Sequence, residues 1–290
     1  MKRYRAIFFD WDGTAVISRS APADAVAAAM APLLTKGIYL FIISGTTYPN
    51  IAGGQLERYF PPAQLRYLFL GLARGSHNLG FDQNGRPTHT FDPQVSKDIL
   101  LRIHQTAFDV HQELLRDYDY PTDIIFDRPN YVKVDLMPGN DRDANLFLSG
   151  DELGAVKRAL ARHGYHAGLA GLTELALNCG ARHGLAVRPT CDAKYLEIGV
   201  LNKADNVDAF MERVLAPAGI AAEECCFWGD EFLELDCGLN GSDSFMHTPL
   251  TQGADFFDVG TVAGERPTHL THLGGSVETF LRFLKAQAAL

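Results

Sequence analysis

Arg5 to Phe9 is a short apolar run that gives way at once to Asp10-Trp11-Asp12-Gly13-Thr14. An apolar run without polar alternation describes a strand buried on both faces, a condition met in a parallel sheet with helices packed on each side. Two carboxylates two positions apart follow that strand directly. Gly13 allows the chain to turn sharply enough for both to face one crevice. Like charges held close raise each other's pKa, so such a pair either shares a divalent cation or splits into one ionised and one protonated group. A hard cation such as Mg²⁺ suits these oxygen ligands. The competing reading is a strand end whose aspartates are solvated and form Asx turns.

The same punctuation recurs along the chain. Pro22 to Leu34 has helical spacing and Gly37 can stop it; Tyr39 to Ile43 is a second buried run, ending at Ser44-Gly45-Thr46. Cys225 to Trp228 ends at Gly229-Asp230, and Asp255 to Val259 ends at Gly260. Strands alternating with helices predict an α/β fold with a doubly wound, parallel, Rossmann-like core, whose ligands gather at the carboxyl ends of the strands. The middle of the chain differs. Arg74 to Phe91 is rich in Gly, Asn and His with a hairpin expected at Asn84-Gly85, and an amphipathic helix follows near Val95 to Leu115. Strands are expected at Asp123 to Phe126 and Tyr131 to Leu136, with a helix over Gly150 to His163. Tyr195 to Val200 reads as a strand returning to the parallel framework. This pattern predicts a core formed by residues 1–74 and 193–290, interrupted by an α+β domain over residues 75–192.

Composition narrows the partners. The formal net charge of -9 disfavours nucleic acid and anionic membrane surfaces. No apolar stretch approaches the ~18 residues of a membrane span, and the basic N-terminus is interrupted by Asp10 and Asp12, so neither signal peptide nor anchor is expected. The five cysteines show no C-x-x-C spacing, which points away from a disulfide framework or a zinc site and towards a reducing cytoplasm. No feature demands an oligomer.

Asp10-Trp11-Asp12-Gly13-Thr14, Ser44-Gly45-Thr46, Lys203 and Gly229-Asp230, in this order, resemble the four motifs of the haloacid dehalogenase-like superfamily of phosphohydrolases. The resemblance implies that Asp10 is a nucleophile forming an aspartyl-phosphate and that Asp12 is the general acid and base. It also implies that Ser44, Gly45 and Lys203 hold the phosphoryl oxygens, and that Asp230, with Asp10 and the Asp12 backbone carbonyl, holds Mg²⁺. Trp11 is bulkier than expected between the aspartates, with its side chain expected to point away from the metal. In the fourth motif Glu234 has the commonest spacing for a second acidic residue and is taken as the further metal carboxylate; Glu231 and Asp236 compete.

Only 29 residues separate Thr14 from Ser44, whereas 156 separate Thr46 from Lys203. An insert between the second and third motifs resembles the α+β cap of the sugar-phosphatase-like branch, which includes Cof-type phosphatases, trehalose- and sucrose-phosphate phosphatases and phosphomannomutases. The implied activity is Mg²⁺-dependent hydrolysis of a small phosphorylated metabolite, a sugar phosphate first. The alternatives are a phosphomutase or a catalytically weakened metabolite-binding protein. Polar clusters near the expected junctions nominate Arg74, His77, Asn78, Asn178, Arg182, His183 and Arg188 as cap contacts to substrate.

Overall fold

The computed structural model describes residues 2–139, 150–192 and 194–290. In chain order these form β1 (Ala6–Phe9), α1 (Asp24–Thr35), β2 (Tyr39–Ile43), α2 (Pro62–Leu65), β3 (Leu68–Leu72), β4 (His77–Phe81) and β5 (Pro87–His89). There follow α3 (Lys97–Tyr118), β6 (Asp123–Ile125), β7 (Tyr131–Asp135), α4 (Gly150–Arg162), α5 (Gly168–Arg182), β8 (Thr190–Cys191) and β9 (Tyr195–Gly199). The chain ends with α6 (Lys203–Phe210), β10 (Cys225–Gly229), β11 (Glu234–Asp236), β12 (Leu239–Asn240), β13 (Asp255–Asp258), β14 (Leu270–His272) and α7 (Ser276–Ala289).

A large sheet runs β14-β13-β10-β1-β2-β3-β4-β5, parallel from β14 to β3. One face packs on α1 and α7 through Met30, Leu33, Phe280 and Leu284; the other packs on α6 through Val207 and Phe210. The register is held by a ladder of phenylalanines. Phe256, Phe227, Phe8, Phe41 and Phe69 are paired neighbours on β13, β10, β1, β2 and β3. Their rings stack with centroids 4.6, 4.5, 4.2 and 5.4 Å apart. A slip of one residue would turn every ring to the opposite face, so the ladder holds the strand ends level. Asp10, Ser44 and Asp230 follow those ends.

A second sheet, β6-β7-β9-β8, is antiparallel throughout. Val132, Val134, Leu196 and Ile198 pack from one face on α3, α4 and α5, through Ile103, Val110, Leu160, Leu172 and Ala176. Two expectations are corrected here. The hairpin at Asn84-Gly85 forms, but β4 and β5 extend the large sheet antiparallel to β3. Otherwise β3 would expose an unpaired edge, and Asn206 on α6 ties β4 down by donating to His77 O and Asn78 Oδ1 at 3.1 and 2.9 Å. The change of sheet therefore falls beyond that hairpin and not after residue 74. The second correction is β9, which pairs antiparallel with β7 in the small sheet instead of rejoining the parallel one. Its alternation of half-buried Tyr195 and Glu197 with buried Leu196 and Ile198 is the period of a sheet with one face on a core, not of a strand buried on both. Residue 193, the expected start of the second core segment, lies outside the described residues. Among the described residues, no helix is long and apolar enough to cross a membrane.

Candidate active site

The carboxyl ends of the parallel strands and the half-buried face of the small sheet enclose a cavity of about 310 Å³. Its floor is built by local backbone geometry. Gly13 adopts φ 84°, and a Cβ there would collide with the Asp230 carboxylate. Thr14 Oγ1 donates to Asp230 Oδ1 at 2.9 Å, and Ser276 Oγ donates to Gly13 O at 2.9 Å, pinning the turn from below. Trp11 points away into the core, as expected from its place between the aspartates. Lys203 is the first residue of α6. Its N-cap Asn202 accepts from Ala204 N at 2.9 Å, while Asp205 Oδ2 accepts from Asn202 N at 2.8 Å.

Lys203 Nζ donates to Asp10 Oδ1 at 2.8 Å and to Asp243 Oδ1 at 2.6 Å. Asp10, Asp230 and Asp243 each offer a carboxylate oxygen within 4.8 Å of the others. Burial is the first cause of the raised pKa values of Asp10 and Asp230; the Lys203 ammonium opposes it at Asp10, and neighbouring carboxylates add to it at both. Burial alone would pull Lys203 down, but Asp10 and Asp243 override it and raise its pKa. Three carboxylates thus face one ammonium. This surplus of hard oxygen donors fits a divalent cation, and Asp10, Asp230 and Asp243 are the residues that would hold it. Asp12 is raised by burial, with Arg19 opposing through Nη2, which donates to Asp12 Oδ2 at 3.2 Å. Its Oδ1 is buried without a hydrogen-bond partner among the described residues, and its carboxyl lines the cavity.

Among the residues named from sequence, Asp10, Asp12, Ser44, Gly45 and Lys203 line the cavity together. Asp230 lies beneath, beside Asp10. Glu234 is not brought to this cluster: its Oε1 accepts from Gly238 N at 2.8 Å within the β11–β12 hairpin. That hairpin carries Glu234 away and returns the chain at Asp243, the acidic residue that local spacing missed. The signal available was Gly241-Ser242-Asp243, a second glycine-small-acid turn beyond the hairpin. Glu231 lines the cavity and accepts from Ser242 Oγ at 2.9 Å, whereas Asp236 turns outward to α5.

The nominated cap contacts divide sharply. Arg74 lines the cavity, buried under the small sheet with its guanidinium 4.9 Å from the Tyr131 ring centroid and Nε 3.2 Å from Glu197 Oε2. It is delivered by a left-handed turn, Ala73 φ 52°, Arg74 φ 49° and Gly75 φ 93°, a conformation costly for the two non-glycine residues. The other six are not among the lining residues. Asn78 is fully buried against Asn206, and His77 stacks edge-on against His89. Asn178 is exposed on α5; Arg182 and His183 brace α5 to α3 through Glu113 and Asp109. Arg188 clamps the start of α6, donating to Asp205 Oδ2 at 2.6 Å and Asn202 Oδ1 at 2.9 Å. The cavity face of the small sheet is instead formed by Asp127, Arg128, Tyr131, Lys133, Tyr195 and Glu197.

No family model and no curated protein matches this chain. Solved structures do. An IMP-bound, N-terminally truncated IMP-nucleotidase of Plasmodium falciparum superposes with a TM-score of 0.61 at 13% identity, over 98% of this chain and 68% of that one. A second structure of that nucleotidase gives 0.58 at 11% identity, over 99% and 62%, so this chain spans about two thirds of the nucleotidase's length. A Eubacterium rectale protein gives 0.53 at 13% identity over 98% of both chains. At these identities the likeness is one of fold, a Rossmann-like parallel sheet flanked by helices.

Proposed function

We propose that this chain is a phosphohydrolase that cleaves a small phosphorylated metabolite through an aspartyl-phosphate on Asp10. The observation that carries the reading is Lys203 bonded to both Asp10 and Asp243 on the floor of a cavity that Asp12 and Ser44 also line. In this mechanism an Asp10 oxygen bonds to phosphorus as the ester P–O bond breaks, and Asp12 gives its proton to the leaving oxygen. A water then attacks phosphorus, Asp12 takes its proton, and the bond to Asp10 breaks, releasing inorganic phosphate. Ser44 Oγ, the Gly45 backbone and Lys203 Nζ hold the phosphoryl oxygens. Asp10, Asp230 and Asp243 would hold Mg²⁺, which when bound offsets charge on the transferring group. The small sheet, with α3, α4 and α5, acts as the cap that excludes water and selects the leaving group.

A sugar or polyol phosphate suits the cap face best. Asp127, Lys133 and Glu197 offer charged partners of both signs for hydroxyls, and the half-buried Tyr195 ring adds apolar surface. A nucleoside monophosphate is the second reading, supported by likeness to the IMP-nucleotidase over nearly the whole of this chain. The test is phosphate release from sugar phosphates, polyol phosphates and nucleoside monophosphates, with Mg²⁺ and with chelator. Asp10→Asn is expected to lower turnover by about a thousand-fold or more while keeping the fold. Undiminished release by that variant would refute the covalent route.

A further inference from the structure

The β11–β12 hairpin leaves the core between two residues of the acidic cluster and buries itself in the other unit. At its base, Glu231 N donates to Asp243 Oδ2 at 2.8 Å and Gly241 N donates to Leu233 O at 2.9 Å, so the hairpin's ends are tied to each other and to Asp243. Leu233 and Leu235 are almost wholly buried in the hydrophobic cluster of the cap, and Leu239 packs against it. Asp236 is the polar anchor. Its Oδ2 accepts from Leu169 N at 2.7 Å and Ala170 N at 3.1 Å, capping the first turn of α5, while Lys157 Nζ on α4 lies 3.5 Å from Oδ1. A carboxylate there satisfies orphan amides and opposes the helix dipole, and these contacts with Lys157 hold its pKa low despite burial. The fit is built from both sides. Gly168, at φ 66°, precedes those amides, and a Cβ there would collide with Asp236 Oδ2.

A cap joined to its core only by the chain entering and leaving it could swing as a lid. This one has a third strut, continuous with the core chain between Asp230 and Asp243 and docked on the cap through Leu233, Leu235 and Asp236. We propose that Asp236 is a positioning residue, holding α5 to the hairpin so that the cap wall and the acidic cluster move as one unit. The functional consequence rests on the phosphohydrolase reading above; the mechanical one does not.

Amide hydrogen exchange of the full chain, with and without Mg²⁺, tests the strut directly. In wild type, Mg²⁺ is expected to slow exchange in the hairpin and also in α5 beyond its first turn. In Asp236→Ala the slowing should stop at the hairpin, with Asp236→Asn intermediate, because its amide oxygen still accepts but carries no charge. Parallel kinetics are expected to show KM for the preferred substrate raised about ten-fold in Asp236→Ala, with kcat on p-nitrophenyl phosphate within about two-fold. Protection that reaches α5 equally in wild type and both variants would overturn the proposal, as would wild-type protection confined to the hairpin. If Mg²⁺ protects nothing in any variant, the metal assignment fails instead. The strut is then judged by whether the cap strands β7 and β9 exchange faster, relative to β1 and β2, in Asp236→Ala than in wild type; equal exchange would overturn it. Absence of wild-type turnover on every ester, with the exchange pattern as expected, would count against the phosphohydrolase reading alone.

Discussion

On the sheet side of the cavity five carboxylates (Asp10, Asp12, Asp230, Glu231 and Asp243) share Lys203 and Arg19, whereas on the small-sheet side Glu197 and Asp127 each have a cation of their own. Arg74 pairs with Glu197 at 3.2 Å, and Asp127 takes both Arg128 at 2.6 Å and Lys133 at 3.3 Å. An uncompensated cluster is costly to bury and calls for a cation or a transferring phosphoryl group to complete it. A compensated wall asks for nothing in charge and offers hydrogen-bonding edges, which suits the recognition of a neutral leaving group. On the proposed reading, the division between chemistry and selectivity coincides with this division in charge balance.

The comparison breaks most readily at Asp243. If the acidic cluster is the cation site, Asp243→Asn should weaken Mg²⁺ binding by about a hundred-fold and lower turnover by about a thousand-fold, since a buried ligand and the second partner of Lys203 are both lost. Glu234→Gln, its carboxyl committed to Gly238 N, should leave Mg²⁺ affinity within about two-fold. Calorimetric titration with Mg²⁺ of both variants decides between them; a larger loss in Glu234→Gln would restore the sequence-based assignment.

That contrast also shows what the sequence could convey. Asp10, Ser44 and Lys203 were legible because each stands at the end of an apolar strand or the start of a helix, and the topology of a parallel sheet carries such positions to one crevice. The Phe8, Phe41 and Phe227 ladder that levels those ends was present in the sequence but is meaningful only with the strand register known. Asp243 was hidden because a hairpin separates it from Asp230 and offers a nearer carboxylate. The cap wall was hidden for another reason. Tyr131 and Lys133 alternate with Val132 and Val134, and period two shows which residues share a face without showing whether that face meets water or a cavity. Arg182 and His183 were polar and near a junction, yet their partners lie on α3.

The charge surplus should appear in the pH dependence of stability. Glu231, beside Asp243 in the cavity, is pushed up to about 7 from 4.5, chiefly by burial and then by the Asp243 carboxylate. An acid with a raised folded-state pKa holds its proton more tightly when folded, so its contribution to stability falls as pH rises through the interval from 4.5 to about 7. His77, His104 and His269 are lowered by burial and act oppositely up to about pH 6.5, so the wild-type curve alone mixes the two. The informative quantity is the difference from Glu231→Gln. Without metal, the variant should gain on wild type across that interval by at most about 1.4 kcal/mol per pH unit, read from denaturant unfolding. A constant difference would mean that Glu231 does not titrate there. Mg²⁺ in hundred-fold excess over its Kd should stabilise wild type by about 2.7 kcal/mol.

The smallest effect belongs to the matched wall and is the most diagnostic of its role. Lys133 stands opposite Glu197 across the β7–β9 ladder and is also 3.3 Å from Asp127, half-buried, with burial lowering its pKa. Lys133→Ala removes a hydrogen-bonding edge and one of the two cations on Asp127, leaves Arg128 on Asp127 and Arg74 on Glu197, and touches none of the groups around Asp10. On a sugar or polyol phosphate, kcat/KM should fall about ten-fold, mostly through KM, because a cap contact made in both ground and transition states contributes uniform binding. On p-nitrophenyl phosphate the change should be within about two-fold. An equal loss on both esters would mean that this wall supports the reacting centre and not the choice of leaving group. A gain on anionic leaving groups would contradict the electrostatic reading of this wall, since removing Lys133 lowers its positive charge.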